Sequence, residues 1–127
     1  MRIIILLLSL LFVSNTYSED LKKCPTVNMI KLIGLSHNLI QDSNGRWYAG
    51  RTSQYYGTKE KWTFVIGEIN AKNKIDAYSK AIQALLSLTY QSGPMRAPSD
   101  KWLCLYHNNK GYPAGAITPP ISTLRIE

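Results

Sequence analysis

The stretch that decides the fold is residues 61–88, KWTFVIGEINAKNKIDAYSKAIQALLSL, which joins the clearest strand of the chain to its clearest helix. Its first nine residues alternate in polarity with the two-residue period of a β-strand. Gly67 interrupts this strand and indicates a bulge or close packing against a neighbour. The alternation predicts one face with Trp62, Phe64 and Ile66, and an opposite face with Thr63, Val65 and Ile69.

The helix is predicted to begin at Asn73, whose side chain can cap it, and Asp76 completes a pair that resembles a capping box. Apolar residues then recur at three- and four-residue steps, and Gly93-Pro94 is predicted to stop the helix. Three alanines in this segment are small enough to let the helix approach a sheet. The set predicted to face the sheet is Ile75, Tyr78, Ile82, Leu85, Leu86 and Thr89.

The flanking segments predict an α+β domain. Residues 25–35 suit a short helix, and Asp-Ser-Asn-Gly at 42–45 is a strong signal for a β-hairpin. Residues 92–100, with two prolines, are predicted to form a surface loop, whereas 101–107 and 112–118 form two strands around a turn. The economical arrangement is an antiparallel sheet of about five strands, covered on one face by one long helix, with a short N-terminal helix beside it.

The two ends of the chain predict export and a loose tail. Residues 1–18 combine one positive charge, a short apolar run and small residues, which is the pattern of a signal peptide. The apolar run is shorter than the roughly 20 residues that a membrane-spanning helix needs. We therefore expect a single domain at residues 19–127 in the periplasm or outside the cell, with 119–127 as a loose tail and no transmembrane anchor.

Cys24 and Cys104 are the only cysteines of the chain. In an oxidising compartment, an even pair favours a disulfide. The bond would close a loop of about 80 residues and stabilise the domain by roughly 4 kcal/mol. The alternative is a catalytic thiol, but neither cysteine lies in a known nucleophile signature.

The charge and the motifs narrow the functional classes. The formal net charge of +7 favours anionic partners, and a basic module that docks on anionic membranes is one alternative. No nucleic-acid recognition motif accompanies this charge, so a specific nucleic-acid role is not expected. No nucleophile elbow, phosphate loop, dinucleotide fingerprint or calcium loop occurs in the sequence. The acidic residues are too scattered along the chain to propose a catalytic carboxylate pair. We therefore predict that the chain is not an enzyme.

The candidate ligand-binding residues are two histidines and an aromatic cluster. His37 and His107 lack the spacing of a zinc site, but together they could ligate haem or a metal if the fold brought them close. Trp47, Tyr48 and Arg51 could stack on a sugar, a base or a porphyrin, or they could simply fill a thin core. A small secreted hydrolase acting on an envelope polymer remains an alternative, and it would need a histidine beside a serine or a carboxylate.

A series of short motifs runs from Cys24 to Pro120. It comprises Cys24-Pro25, Trp47, Lys61-Trp62-Thr63-Phe64, the alanine-rich helix at 73–88, Gly93-Pro94, Cys104-x-Tyr106 and Ala116-Ile117-Thr118-Pro119. In this order the chain resembles small exported proteins from Legionella-like intracellular bacteria, one of which is labelled hemin-binding protein. The resemblance implies an exported, non-enzymatic protein that binds haem or interacts with a host component. It brings no haem-ligand motif to place on a residue here. No cofactor is evident from the residues themselves, and haem is suggested only by this resemblance.

Overall fold

The computed structural model describes residues 22–121, which contain two helices and six strands. The predicted signal peptide and residues 122–127 of the predicted tail lie outside the described residues. Neither described helix is long and apolar enough to cross a bilayer. In chain order the elements are α1 (Val27–Ile33), β1 (Ile40–Gln41), β2 (Trp47–Gln54), β3 (Trp62–Ile69), α2 (Lys74–Leu86), β4 (Thr89–Ala97), β5 (Lys101–His107) and β6 (Ala114–Thr118).

All six strands belong to one antiparallel sheet with the order β1-β2-β3-β6-β5-β4. A helix followed by three strands occurs twice along the chain, and the last strand of each half pairs at the centre of the sheet. The predicted antiparallel sheet and both predicted hairpins are therefore confirmed. The predicted number of about five strands is wrong, because the described residues contribute six.

The additional strand is β4, which occupies part of the segment predicted as a loop at 92–100. It is the edge strand beside β5, and its pairing shifts register around Ser92 and Met95. An edge strand with such irregularities tolerates Gly93-Pro94, because the missing N–H of a proline costs no hydrogen bond when it faces away from the ladder. Pro94, one of the two prolines that argued for a loop, is thus accommodated within a strand, and Pro98 follows the end of that strand.

The helix α2 presents a different face to the sheet from the one predicted. Asn73 caps it as expected, since its side chain accepts a hydrogen bond from the Asp76 N–H. However, Ile75 is 82% exposed and Leu86 is 70% exposed, so the prediction that both face the sheet is wrong. The helix ends at Leu86 and not at Gly93-Pro94, and Thr89, predicted on its buried face, is an exposed residue of β4. The helix lies against the sheet through small side chains, which allow its backbone to come close. The buried residues of α2 are Ala77, Ala81, Ala84 and Leu85.

The core lies between the sheet and the two helices. Trp62, Phe64 and Ile66 are completely buried there, as the alternation predicted. Ile69 was expected on the opposite face but is buried in the same core. The cause is a register shift between β2 and β3: Ala49 pairs with Ile66 but Trp47 pairs with Ile69, so the two strands do not advance equally. Such a shift reverses which face the following residue occupies.

The predicted disulfide is confirmed. Cys24 and Cys104 are bonded, with their Cα atoms 5.9 Å apart, and Cys104 is fully buried on β5. Two residues further along β5, the Tyr106 hydroxyl donates a hydrogen bond to the carbonyl oxygen of Pro25. These two contacts attach the segment that precedes α1 to the middle of β5, so α1 is held on the same face of the sheet as α2.

Replacing both cysteines by alanine should lower the free energy of unfolding by about 4 kcal/mol, because the bond closes a loop that spans 80 residues in sequence. Chemical denaturation of the variant and of the oxidised protein measures the difference. Reduction of the parent chain should produce a comparable loss. A loss below about 1 kcal/mol in both measurements would contradict the view that this bond anchors α1.

Candidate functional site

The sheet has a second face, which no helix of the described residues covers. Strand alternation places Val65, Leu103, Leu105 and Ile117 on it, opposite the helix-covered core, and all four are half-buried. A sheet with one solvated face normally carries polar side chains there. We call this surface the open face, and its apolar character is the least expected property of the fold.

A groove of about 310 Å³ runs along the open face, lined almost entirely by apolar atoms. Its floor contains two glycines that pack against its walls. A Cβ atom added to Gly67 would lie 2.4 Å from the Tyr48 ring, and one added to Gly115 would lie 3.3 Å from a methyl group of Leu103. The lining residues are Tyr48, Val65, Gly67, Leu103, Leu105, Pro113, Ala114, Gly115, Ile117 and Ile121.

One end of the groove is closed by the chain that leaves β6. The hydroxyl of Thr63 donates a hydrogen bond of 3.1 Å to the carbonyl oxygen of Ile121. Thr63 points to the open face yet is completely buried, because residues 119–121 cross over it. Within the described part of the predicted tail, the chain is therefore held against the sheet, and Ile121 forms part of the groove.

Tyr48 forms the wall of the groove on the β2 side. Contacts with the hairpin between β1 and β2 fix the orientation of its side chain. Its hydroxyl donates a 3.0 Å hydrogen bond to Asp42. Asp42 also accepts hydrogen bonds from the backbone N–H groups of Asn44 and Arg46. The hydrogen bond from Arg46 is the main cause of the lowered pKa of Asp42. Burial is the main cause of the raised pKa of Tyr48. The buried tyrosine thus offers the groove an aromatic ring, while its polar end is occupied.

Trp47 and Arg51, which were predicted to share a ligand site with Tyr48, lie elsewhere. Trp47 packs against the helix-covered core, and its indole N–H is buried without a hydrogen-bond partner among the described residues. The Arg51 guanidinium donates to the carbonyl oxygens of Gly34 and Leu35, at 3.4 and 3.3 Å. These carbonyls follow the end of α1, so Arg51 fastens that helix to β2. Of this cluster, only Tyr48 lines the groove.

The two histidines are exposed and do not share a site. His37 stacks on Tyr78 of α2 with a centroid distance of 4.6 Å, in a loop joined to β2 by the hydrogen bond from Ser36 N–H to the Gly50 carbonyl. His107 ends β5, and β3 and β6 lie between β2 and β5. Three strand spacings amount to about 14 Å. His107 follows Leu105 at the two-residue period, so it continues the row that forms one wall of the groove.

No group of three or more possible metal-ligating side chains occurs among residues 22–121. Within the same residues, neither histidine forms a side-chain hydrogen bond or ion pair with a serine or a carboxylate.

The sequence did contain a signal for the groove. Strand β5 is apolar on both faces, with Cys104 and Tyr106 towards the core and Leu103 and Leu105 on the other side. In a sheet with helices on only one face, such a strand leaves one apolar row uncovered. The histidines and aromatics did not indicate this row, because its aliphatic residues carry no chemical motif. Comparison with protein-family models, curated proteins and solved structures finds no match.

One buried titratable group lies apart from the groove. Tyr56 is only 1% exposed, and its hydroxyl has no hydrogen-bond partner among the described residues. Burial raises its pKa from 10.0 to about 12, because the charged phenolate is poorly solvated there. The neutral hydroxyl in turn contributes little to stability, since it makes no hydrogen bond.

The raised pKa of Tyr56 predicts a loss of stability at high pH. A group whose pKa is raised on folding stabilises the fold below its unfolded pKa of 10.0, and this contribution disappears as the pH rises towards 12. Tyr56→Phe should therefore leave the free energy of unfolding at pH 7 nearly unchanged and weaken its decline above pH 10. Denaturation at several pH values measures both effects. The exposed neighbour Tyr55, changed to Phe, is the matched control. Identical alkaline declines in the two variants would contradict the assignment.

Proposed function

We propose that this chain is a small exported binding protein and that the groove on the open face is its ligand site. The observation that supports this most directly is an apolar groove of about 310 Å³ that is left uncovered on a sheet whose other face is fully packed. Pockets that hold small molecules are typically apolar and start at about 300 Å³. Burying the groove against an apolar ligand stabilises the complex by about 25 cal/mol per Å².

Two features support export. The predicted signal peptide would direct the chain out of the cytoplasm, and the Cys24–Cys104 bond is of the kind that persists in oxidising compartments. A binding protein outside the cytoplasm needs a rigid platform that does not depend on other chains. The disulfide and the packing of both helices on one face provide such a platform for the groove.

Haem is the ligand that the sequence resemblance suggests, and the groove suits it in two respects. Apolar walls can hold the face of a porphyrin, and His107 continues the row of Leu103 and Leu105 at one end. Bound haem would supply iron, and the exposed imidazole of His107 would be the side chain that holds it. His37 stacks on Tyr78 and lies away from the groove, so it has no part in this proposal.

Titration of the oxidised protein with hemin tests this function through the Soret absorption band. We expect a red shift in the parent chain, a smaller shift for His107→Ala and an unchanged shift for His37→Ala. Leu105→Gln should weaken binding about tenfold, because it places a polar amide in the wall of the groove. Leu32→Gln is the matched control, since Leu32 is 77% exposed on α1.

A Soret band that does not change, or that changes equally in all four variants, would exclude haem binding in the groove. Binding that is lost with His37→Ala but retained with His107→Ala would place the ligand elsewhere on the molecule.

A further inference from the structure

We infer that the ligand of the groove is an anionic amphiphile, whose apolar body lies along β3 and β6 and whose acidic group lies beside Lys101. This inference rests on the proposed function and adds a charge requirement and an orientation to it. It comes from the distribution of charged side chains around the two ends of the groove.

Lys101 lies at one end of the groove. It precedes Leu103 and Leu105 at the two-residue period of β5, so it belongs to the same row on the open face. The next residue, Trp102, pairs with Thr118, so Lys101 lies beside the segment that leaves β6 towards Ile121. Lys101 is half-buried, as expected for a lysine whose aliphatic stem lies on apolar surface.

The positive charge of Lys101 is not neutralised within the described residues. No carboxylate oxygen of these residues lies within 4.0 Å of its ammonium group. Its chain neighbour Asp100 is paired with Arg96 instead, at 3.4 Å. A second cation without such a partner, Lys61, precedes β3 at the same end, where its ammonium lies 5.4 Å from the centre of the Tyr55 ring.

The other end of the groove, near Gly67 and Pro113, has a balanced charge. Arg46 and Glu68 form an ion pair there, and Asp42 accepts a hydrogen bond from the Tyr48 hydroxyl. Lys110 lies in the adjoining turn between β5 and β6, so two cations face two carboxylates. The potential along the groove therefore becomes more positive towards Lys101. A ligand with one acidic end gains free energy only when that end lies at Lys101, which fixes its direction in the groove.

The shape of the groove and the net charge of the protein also indicate which kind of ligand the groove can hold. A volume of about 310 Å³ along two strands suits a single elongated chain. A second copy of this protein is disfavoured, because the formal net charge of +7, which is +6 without Arg2 of the predicted signal peptide, makes the copies repel each other. The occupant that fits both the shape and the charge is a fatty acid, whose carboxylate lies beside Lys101 and whose alkyl chain follows the groove. Haem also carries carboxylates, on a much broader ring, and is the competing occupant that the test distinguishes.

Binding of dodecanoate and of dodecanol, measured by displacement of a hydrophobic fluorescent dye from the full oxidised chain, tests the charge requirement. Lys101→Met should weaken dodecanoate binding about threefold and leave dodecanol unchanged, as expected for an ion pair that water still reaches. Combining it with Lys61→Met should weaken dodecanoate about tenfold. Lys110→Met is the matched control, because Lys110 is an exposed lysine in the turn between β5 and β6.

A parallel titration with hemin and its dimethyl ester distinguishes the two sources of the carboxylate. If haem is the ligand, Lys101→Met weakens hemin but not the ester, and dodecanoate binds more weakly than hemin. If a fatty acid is the ligand, the order of affinities is reversed. In both cases, binding of the acid should weaken as the salt concentration rises.

Equal affinity for dodecanoate and dodecanol, or equal effects of Lys101→Met and Lys110→Met, would overturn the charge requirement while the binding function stands. Failure of all four probes to bind would overturn both. A dimer that Leu105→Gln dissociates would also overturn the inference, because the second copy would then occupy the groove.

Discussion

The Cys24–Cys104 bond is the constraint on which the rest of the structure depends. It fixes the chain before α1 to a buried position on β5, and the hydrogen bond from Tyr106 to Pro25 adds a second attachment close by. Arg51 then binds the carbonyls that follow α1, so this short helix is fastened at both ends to the same face as α2. A helix of seven residues is marginal by itself, and these attachments make it part of the core.

Because both helices pack on one face of the sheet, the other face remains uncovered. The open face keeps Val65, Leu103, Leu105 and Ile117 in partial contact with water, and the described part of the chain covers it only at Thr63. Contiguous exposed apolar surface is uncommon in soluble proteins and usually marks a place where something binds. The glycines of the groove support the same interpretation, since Gly67 lies directly beneath the Tyr48 ring and leaves no space for a larger side chain.

The local patterns of the sequence predicted much of the fold. The core face of β3, the cap of α2 at Asn73, both hairpins and the disulfide required only alternation, turn chemistry and the redox argument. The errors arose where tertiary contacts decide. Burial of alanines rather than Leu86 depends on how closely α2 approaches the sheet, and the position of Ile69 depends on a register shift between two strands. Neither can be read from one segment alone.

The candidate site was harder to predict for a related reason. Histidines and aromatics attract attention in a sequence, yet the structure uses Trp47 for packing and Arg51 for holding a helix, and it separates His37 from His107. The groove is instead built from aliphatic residues and glycines on several strands. Its walls come from different halves of the chain, with Tyr48 on β2 and Leu103 on β5, and its floor follows the central pair of β3 and β6. Because each half supplies one wall, the width of the groove depends on the pairing of β3 with β6. A ligand that contacts both walls would stabilise that pairing, so binding and the stability of the whole sheet should rise together.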